Sequence, residues 1–267
     1  MLVVFTYLIT KDIVETLERK IGYELDTELI EQINRLEDEF LFDFFKFIPN
    51  DIKKTVVDTS SISSQLESLV DRANYPVISL DRVYLINADE YLEVTRLTNP
   101  KTGEVKITER PNTKPLQKQI NNLRKYGNIV LVDVGAFEGE TLLEICRLLE
   151  KDGINIKEIY LGVSSNEANE KINKRIKLTV LNLFDFYEWI ELRDLFGIDG
   201  RNVGMENEAK LFIPYWENLS KWASISKENE PYIRELCKKY NRELVGRLWQ
   251  EGYDLKKIGK PIKYGGN

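Results

Sequence analysis

The residues best placed to do chemistry lie in one stretch, NIVLVDVGAFEGETLLEICRLL, which occupies residues 128–149. Asp133 follows four apolar residues, and Gly135, Gly139 and Thr141 come after it. From Thr141 onward, apolar residues recur at helical spacing. Backbone N–H groups and the positive dipole end make the start of a helix a ready anion site, and glycine lets the chain approach a ligand closely. The stretch therefore predicts a buried strand, a loop that binds a phosphate or a nucleotide, and a helix.

Composition limits the chemistry that the chain can perform. Its 267 residues include no histidine. This excludes Ser-His and Cys-His nucleophiles, HExxH zinc sites and the histidine-containing zinc sites of nucleobase deaminases. Carboxylates, lysine, tyrosine and Mg²⁺ held by oxygen ligands remain. The net charge of −6 disfavours broad nucleic-acid binding, so nucleic acid is expected only through a partner complex, if at all.

Cysteine usage and hydropathy indicate a cytoplasmic protein. Cys146 and Cys237 each lie on an apolar helix face, which argues against a disulfide framework or a thiolate metal site. No apolar run approaches the ~20 residues that a membrane span requires. The apolar start MLVVFTYLI is short and lacks the basic leader of a signal peptide, so it is expected to be a strand or helix of the fold.

The elements around the central stretch predict an α/β fold. Residues 1–76 are expected to be helical, with a helix ending at Gly22, another capped by Asp26 or Thr27, and a third before Pro76. From Val77 onward strand-like and helical segments alternate: VISLDRVYLI, YLEVTRL, the hairpin segment TNPKTGEVKITER, KPLQKQINNLRKYG, the central stretch, KEIYLGV, NEANEKINKR and KLTVLNL. Alternation of this kind predicts a parallel sheet with crossover helices, here over residues 77–204.

The C-terminal part is expected to be largely helical over residues 205–267. Before it, the segment DFYEWIELRDLF is interpreted as an amphipathic helix with Trp189 in the core. The whole chain is therefore expected to be an α/β core with helical additions at both ends.

The stretch IVLVDVGAFEGET resembles the phosphoribosyl-pyrophosphate (PRPP) loop of type I phosphoribosyltransferases, in which four apolar residues and an acid precede a loop that ends in Gly-x-Thr. The resemblance covers about residues 77–204. It implies a phosphoribosyltransferase-like parallel-sheet core, Mg²⁺ as cofactor, and transfer or cleavage at ribose C1. The overall pattern is also similar to phosphoribosyltransferase-like proteins of bacterial defence and conflict operons, which implies an effector role with protein partners or as a homo-oligomer.

This resemblance assigns roles to residues of the loop. The catalytic carboxylates are expected to be Asp133, Glu138 and Glu140, with Asp133 also holding the metal. The phosphate and the ribose are expected to contact Asp133 and the residues that follow, namely Gly135, Ala136, Phe137, Glu138, Gly139, Glu140 and Thr141.

The other two parts of such a ligand have candidates outside the loop. Pyrophosphate is expected to meet Arg96, Arg110 and Lys114, because arginine in particular offers a bidentate fork for phosphate. The base is expected near Asp199, Gly200 and Arg201, which follow the last core strand, a region from which this family commonly contacts the base.

Two alternatives remain open. Val134 and Phe137 occupy positions at which the family commonly uses acids, so the core could bind a nucleotide as a sensor or scaffold without catalysis. The spacing of Asp133, Gly135 and Gly139 also fits the beginning of an S-adenosylmethionine methyltransferase. That family usually ends its next strand in an acid and adds several more strands, whereas here the next strand runs into Ser164 and only one more convincing strand follows. The phosphoribosyltransferase interpretation is therefore preferred.

Overall fold

The computed structural model describes residues 4–85, 87–111, 113–204 and 211–253. Two compact units make up the chain: residues 59–185, here called the central unit, and residues 1–58 with 186–267, here called the terminal unit. The ranges 1–76, 77–204 and 205–267 stay a prediction of domains, because compactness alone does not show which segments fold independently. Within the described ranges, no helix combines the length and hydropathy needed to cross a membrane.

The first segment of the terminal unit begins with a strand. Its elements are β1 (Thr6–Lys11), α1 (Ile13–Ile21), α2 (Thr27–Phe44) and β2 (Lys53–Asp58). Helix α1 ends at Gly22, whose φ of 90° lies in the left-handed region that favours glycine. Asp26 caps α2 by accepting a hydrogen bond from the backbone N–H of Glu28. Both helix boundaries lie where the sequence placed them.

Strands and helices alternate in the central unit as predicted. The elements are α3 (Thr59–Val70), β3 (Val77–Ser79), β4 (Glu90–Tyr91), β5 (Val94–Thr98), β6 (Val105–Glu109), α4 (Leu116–Leu123), β7 (Asn128–Ala136), α5 (Glu140–Lys151), β8 (Asn155–Ser165), α6 (Asn166–Asn173) and β9 (Lys177–Phe184). Five of these strands form a parallel sheet in the order β4-β3-β7-β8-β9, and β5 and β6 form an antiparallel hairpin. The predicted α/β fold with a parallel sheet is confirmed.

Strand β7 lies in the middle of this sheet because its apolar run can be buried on both faces. The side chains of residues 129–132 are at most 1% exposed. Helices α4, α5 and α6 contribute to the same core. Helix α3 packs on β8, where a Cβ at Gly162 would clash with Ile62 and lie 2.9 Å from the carbonyl oxygen of Val134. Glycine at this position therefore permits the close approach of α3 to the sheet.

The second segment of the terminal unit corrects one expectation. Its elements are β10 (Phe186–Glu191), α7 (Leu192–Leu195), β11 (Arg201–Val203), β12 (Leu211–Ile213), α8 (Leu219–Trp222) and α9 (Glu230–Gln250). The amphipathic helix expected around Trp189 is wrong for residues 186–191, which form β10. This strand pairs in parallel with β1, which pairs in parallel with β2, so the two segments of the terminal unit share a three-stranded sheet.

A buried ion pair joins the ends of β1 and β10. Asp12 is fully buried, and Arg193 is 6% exposed. The Arg193 Nε lies 3.2 Å from Asp12 Oδ2, and the Arg193 backbone N–H donates to Asp12 Oδ1 at 3.0 Å. Burial raises the pKa of Asp12 well above its usual range, although the Arg193 charge opposes this. Removal of Arg193 would leave the buried Asp12 carboxyl without its counter-charge where the two segments of the terminal unit meet.

Candidate functional site

The connection between β7 and α5 is shorter than the sequence indicated. Strand β7 continues through Asp133, which pairs with Leu161, as far as Ala136, which pairs with Ser164. Only residues 137–139 connect β7 to α5. Gly135 and Ala136, which follow Asp133, were expected in a loop but lie in the strand, because β8 is long enough to pair with them. They occupy the carboxyl end of the parallel sheet, where open α/β sheets bind ligands.

Gly139 begins the turn into α5. Its φ is 76°, and no side chain caps the start of the helix. The first amides of an α-helix have no acceptor within the helix, so they can donate to an anion. A Cβ at Gly139 would lie 3.3 Å from Ile172 Cδ1 and 3.5 Å from Ala168 Cβ, both on α6. The glycine thus allows the left-handed turn and its close packing on α6, with Thr141 half-buried on the first turn of α5.

Ser165, at the end of β8, braces this turn. Its hydroxyl donates to the carbonyl oxygen of Phe137 at 2.6 Å and accepts from the backbone N–H of Ala168 at 2.8 Å, which caps α6. The residue is 9% exposed. One hydroxyl therefore fixes both the β7–α5 connection and the start of α6. The sequence pattern indicated only that this strand does not end in an acid, and it did not predict this role of Ser165.

The three acidic side chains of this region differ in their burial and in the groups that they contact. Asp133 is half-buried, and its Oδ1 accepts from the backbone N–H of Val134 at 2.8 Å. Glu138 is exposed. Glu140 forms an ion pair with Lys171 of α6, and this hydrogen-bonded lysine lowers the pKa of Glu140. Asp133 is consequently the carboxylate most closely held at the carboxyl end of β7.

The two positions at which the resemblance lacks acids have different surroundings. Val134 is 8% exposed and belongs to the interior of the unit, whereas Phe137 is 37% exposed on the connection itself. An acid at position 134 would have to be buried, which is costly without a partner. Packing in the interior of the unit therefore explains why position 134 carries an apolar side chain.

A metal would need ligand atoms from its substrate at this site. Among the described residues, no three His, Cys, Asp or Glu side chains converge so that they could hold a metal ion. Mg²⁺ is commonly bound by one or two carboxylates together with substrate phosphates. The half-buried carboxylate of Asp133 at the carboxyl end of the sheet fits a site of that kind.

Arg110, one of the three pyrophosphate candidates, reaches the same edge of the sheet. Leu80 follows β3, and its backbone N–H donates to the carbonyl oxygen of Val132 at 2.8 Å. The Arg110 Nη2 donates to the carbonyl oxygen of Leu80 at 3.3 Å and lies 3.8 Å from Asp81 Oδ2. Its Nε lies 3.6 Å from Glu93 Oε2. The guanidinium is therefore held at Leu80, whose backbone N–H bonds the strand residue that precedes Asp133.

Sequence reasoning missed the turn after β3. Asp81 is 4% exposed, and its Oδ1 accepts from the backbone N–H groups of Val83 at 2.5 Å and Tyr84 at 3.2 Å. Arg82 pairs through Nε with Glu93 Oε1 at 2.5 Å. Asp81, like Asp133, directly follows a run of four buried and mostly apolar residues, and this shared pattern could have identified it.

The remaining pyrophosphate candidates lie elsewhere in the central unit. Arg96 is in β5 opposite Ile107, and Lys114 is exposed just before α4. Of the three candidates, Arg110 is the one whose hydrogen bond to Leu80 lies at the edge beside Asp133. Their predicted role with pyrophosphate stays a prediction.

The base-side candidates belong to the terminal unit. Asp199 accepts a hydrogen bond from the backbone N–H of Gly200 at 3.1 Å. A Cβ at Gly200 would lie 2.9 Å from the carbonyl carbon of Ile213, so this position requires glycine for close backbone packing. The Arg201 guanidinium lies 5.1 Å from the centre of the Tyr215 ring. These contacts give each residue a structural role, and the base-side role stays a prediction.

A cavity of about 630 Å³ lies in the terminal unit and contains none of the predicted site residues. Two of its polar lining residues have partners: Lys46 pairs with Asp43 at 2.6 Å, and the Ser224 hydroxyl donates to Glu188 at 2.7 Å. The carboxyl end of the central sheet is the candidate site for the predicted ligand, because the predicted residue Asp133 and the start of α5 lie there.

Comparisons with known proteins found no matching family model and no matching curated protein. Three solved structures resemble part of the chain. TT1426 from Thermus thermophilus is 15% identical with a TM-score of 0.30, over 47% of this chain and 81% of TT1426. An adenine phosphoribosyltransferase from Thermoanaerobacter pseudethanolicus is 10% identical with a TM-score of 0.32, over 47% of this chain and 80% of that enzyme. UMP synthase from Leishmania donovani is 14% identical with a TM-score of 0.30, over 68% of this chain and 33% of that protein. Similarities at this level place the chain in no family.

Proposed function

We propose that the central unit binds PRPP or a nucleotide at the carboxyl end of its parallel sheet and acts at ribose C1. The supporting observation is that three features meet at this one edge: the Asp133 carboxylate, the Gly139 turn into α5, and the Arg110 guanidinium beside Leu80. The N–H groups of α5 would bind the 5′-phosphate, Asp133 the ribose hydroxyls, and Arg110 the pyrophosphate.

The proposed chemistry is electrostatic and needs no histidine. Positive charge that develops on the ribose would be stabilised by Asp133, with exposed Glu138 as a second carboxylate. Arg110 would stabilise the departing pyrophosphate. Glu140 contributes less in this scheme, because Lys171 already neutralises it. A bound Mg²⁺ would supply further charge neutralisation on the phosphates, with Asp133 as its protein ligand.

Calorimetric titration tests this proposal. PRPP, nucleoside monophosphates and S-adenosylmethionine would each be titrated into the native protein with and without Mg²⁺, and into Asp133→Asn. We expect PRPP or a nucleotide to bind with Mg²⁺ and Asp133→Asn to weaken that binding. Asp152→Asn is the matched control, because Asp152 is an acid that precedes β8 and pairs with Arg124. Binding of S-adenosylmethionine without PRPP or nucleotide binding would overturn the proposal.

A nucleotide-binding module without catalysis is the second candidate. The burial of Val134 favours it, because this position contributes to packing and carries no charge to the ligand. Purine and pyrimidine bases can be incubated with PRPP and the protein, and the products separated by chromatography. A phosphoribosylated base that disappears in Asp133→Asn would establish the enzyme. Clear binding with every base and nucleotide recovered unchanged would establish the module.

The methyltransferase alternative has less support from the central unit. Strand β8 ends in Ser164 and Ser165, and the Ser165 hydroxyl is occupied by Phe137 and Ala168. Of the strands described in this unit, only β8 and β9 follow the loop. The end of β8 therefore lacks the acid that this family usually has there, and the described part of the unit lacks the additional strands.

The biological part of the proposal is an effector role in bacterial defence, in the cytoplasm and with protein partners. It rests on the sequence resemblance alone. Expression of the native protein and of Asp133→Asn in a bacterial host would test it. We expect growth arrest with the native protein only, and equal growth of both cultures would contradict an effector activity that depends on this site.

A further inference from the structure

One serine of the terminal unit has an unusual backbone conformation. Ser224 lies between α8 and α9, and its φ of 49° falls in the left-handed region. Within the described ranges, no other residue apart from glycine has a positive φ. This conformation is costly for a residue that carries a side chain, and strained residues cluster at functional sites. A serine at a sharp, strained turn is also how many hydrolases expose their nucleophile.

The Ser224 hydroxyl is bonded to a carboxylate that can take its proton. It donates to Glu188 Oε2 at 2.7 Å. The other carboxylate oxygen, Oε1, accepts from the backbone N–H of Trp189 at 3.0 Å. A nucleophile, a base within hydrogen-bond reach and a third group that orients the base form the arrangement by which enzymes activate a hydroxyl. Because a carboxylate can act as a general base, this arrangement needs no histidine.

Ser224 lines the cavity of about 630 Å³ in the terminal unit. Small-molecule sites commonly have volumes of roughly 300–1,000 Å³. The wall of the cavity includes Phe47, Ile48 and Tyr187, whose side chains can pack against an apolar group. The cavity therefore gives the hydroxyl of Ser224 room for a small and partly apolar substrate.

Asn229 is a donor for the negative charge that attack on a carbonyl creates. It lines the same cavity and is the N-cap residue of α9, but its side chain does not cap that helix. Side-chain amides of asparagine stabilise the oxyanion of tetrahedral intermediates in acyl transfer. Nucleophile, base and oxyanion donor thus belong to one cavity.

We propose that Ser224 is the nucleophile of a hydrolase for small carboxylic esters, with Glu188 as its base. Ser224 Oγ attacks the ester carbonyl, and its proton passes to Glu188. The intermediate expels the alcohol, which takes that proton, and the acyl group stays on Ser224. Water then attacks the acyl group through the same base, so that the acid leaves and Ser224 regains its proton. Ester and water give acid and alcohol, and the activity is separate from the function proposed for the central unit.

A fluorophosphonate tests the nucleophile, because it phosphonylates activated serines with loss of fluoride. The native protein would be treated, digested and analysed by mass spectrometry. We expect Ser224 to be modified, and hydrolysis of p-nitrophenyl butyrate to be lost in step with this modification. Ser226, which is exposed at the same cavity, should stay unmodified. A native protein in which Ser224 does not react, or in which Ser226 reacts equally fast, would overturn the proposal.

Two variants separate catalysis from a structural tether. Glu188→Gln still offers Ser224 an acceptor but cannot take its proton, so the rate of modification should fall roughly 10²- to 10⁴-fold. Ser224→Gly suits a positive φ, so it should keep the native circular dichroism and urea midpoint but lose hydrolysis. Glu235→Gln is the matched control, because Glu235 is an exposed acid on α9 that pairs with Lys238. An unchanged rate in Glu188→Gln, or hydrolysis that persists in Ser224→Gly, would contradict the proposal.

Discussion

Replacing Ser165 by alanine should destabilise the site at two points together. The N-terminal cap of α6 would be lost, which typically costs about 1 kcal/mol. The Phe137 carbonyl would lose a 2.6 Å hydrogen bond at a position where the donor is 9% exposed, which costs a further 1–2 kcal/mol or so. We therefore expect Ser165→Ala to lower the free energy of unfolding by about 2–3 kcal/mol and to weaken ligand binding, because the turn before α5 loses its brace.

Urea denaturation followed by circular dichroism measures this loss. Ser165→Thr retains a hydroxyl that can donate and accept, so it should remain within about 1 kcal/mol of the native protein. Ser165→Asp can cap α6 but cannot donate to the Phe137 carbonyl, so its stability should lie between those of the other two variants. Ser64→Ala on α3 is a control, because the Ser64 hydroxyl is exposed and bonds only within its own helix at 3.3 Å. A Ser165→Ala protein as stable as Ser64→Ala would refute the bracing role.

Three further predictions concern affinity and pH. Thr141→Ala should weaken PRPP or nucleotide binding by about 1–3 kcal/mol in calorimetry, the range for a hydrogen bond to a charged group, and unchanged affinity would count against the phosphate assignment. Arg110→Met should weaken PRPP more than a nucleoside monophosphate, and an equal loss for both ligands would contradict a pyrophosphate contact. Burial raises the pKa of Glu37 from 4.5 to about 7, opposed only in part by Lys11. The folded protein therefore retains a proton that the unfolded chain releases in this range, so stability falls as pH rises from 4.5 to about 7. Glu37→Gln should remove about 2.5 kcal/mol of that decline between about pH 5 and about pH 8, and a native-like decline in this variant would refute the assignment.

The sequence predicted those parts of the fold that local patterns determine. The α1 boundary at Gly22, the Asp26 cap and the alternation from β7 to β9 all depend on residues a few positions apart. Strand β10 could not be recognised in this way. Its pairing with β1 joins residues about 180 positions apart, as the hydrogen bond between Asp12 and Arg193 shows, so tertiary pairing overrides a helical spacing of apolar residues.

Prediction of the site was limited for the same reason. Asp133 could be identified because an acid directly after a buried apolar run lies towards the carboxyl end of a parallel strand, where ligands bind. The length of β8 decides that β7 continues past Asp133, and no pattern within β7 reports that length. The engagement of Glu140 by Lys171 and the approach of Arg110 to Leu80 likewise depend on which elements the fold brings together.

The most direct test of the central claim is the response of the Gly139, Glu140 and Thr141 backbone amides to PRPP or a nucleotide in the presence of Mg²⁺, followed by nuclear magnetic resonance. A phosphate at the start of α5 should shift these three amide signals more than those at the start of α9, which serves as an internal reference. We expect saturable shifts that are lost in Asp133→Asn at the same ligand concentration. Saturable binding that leaves residues 139–141 unchanged would contradict it.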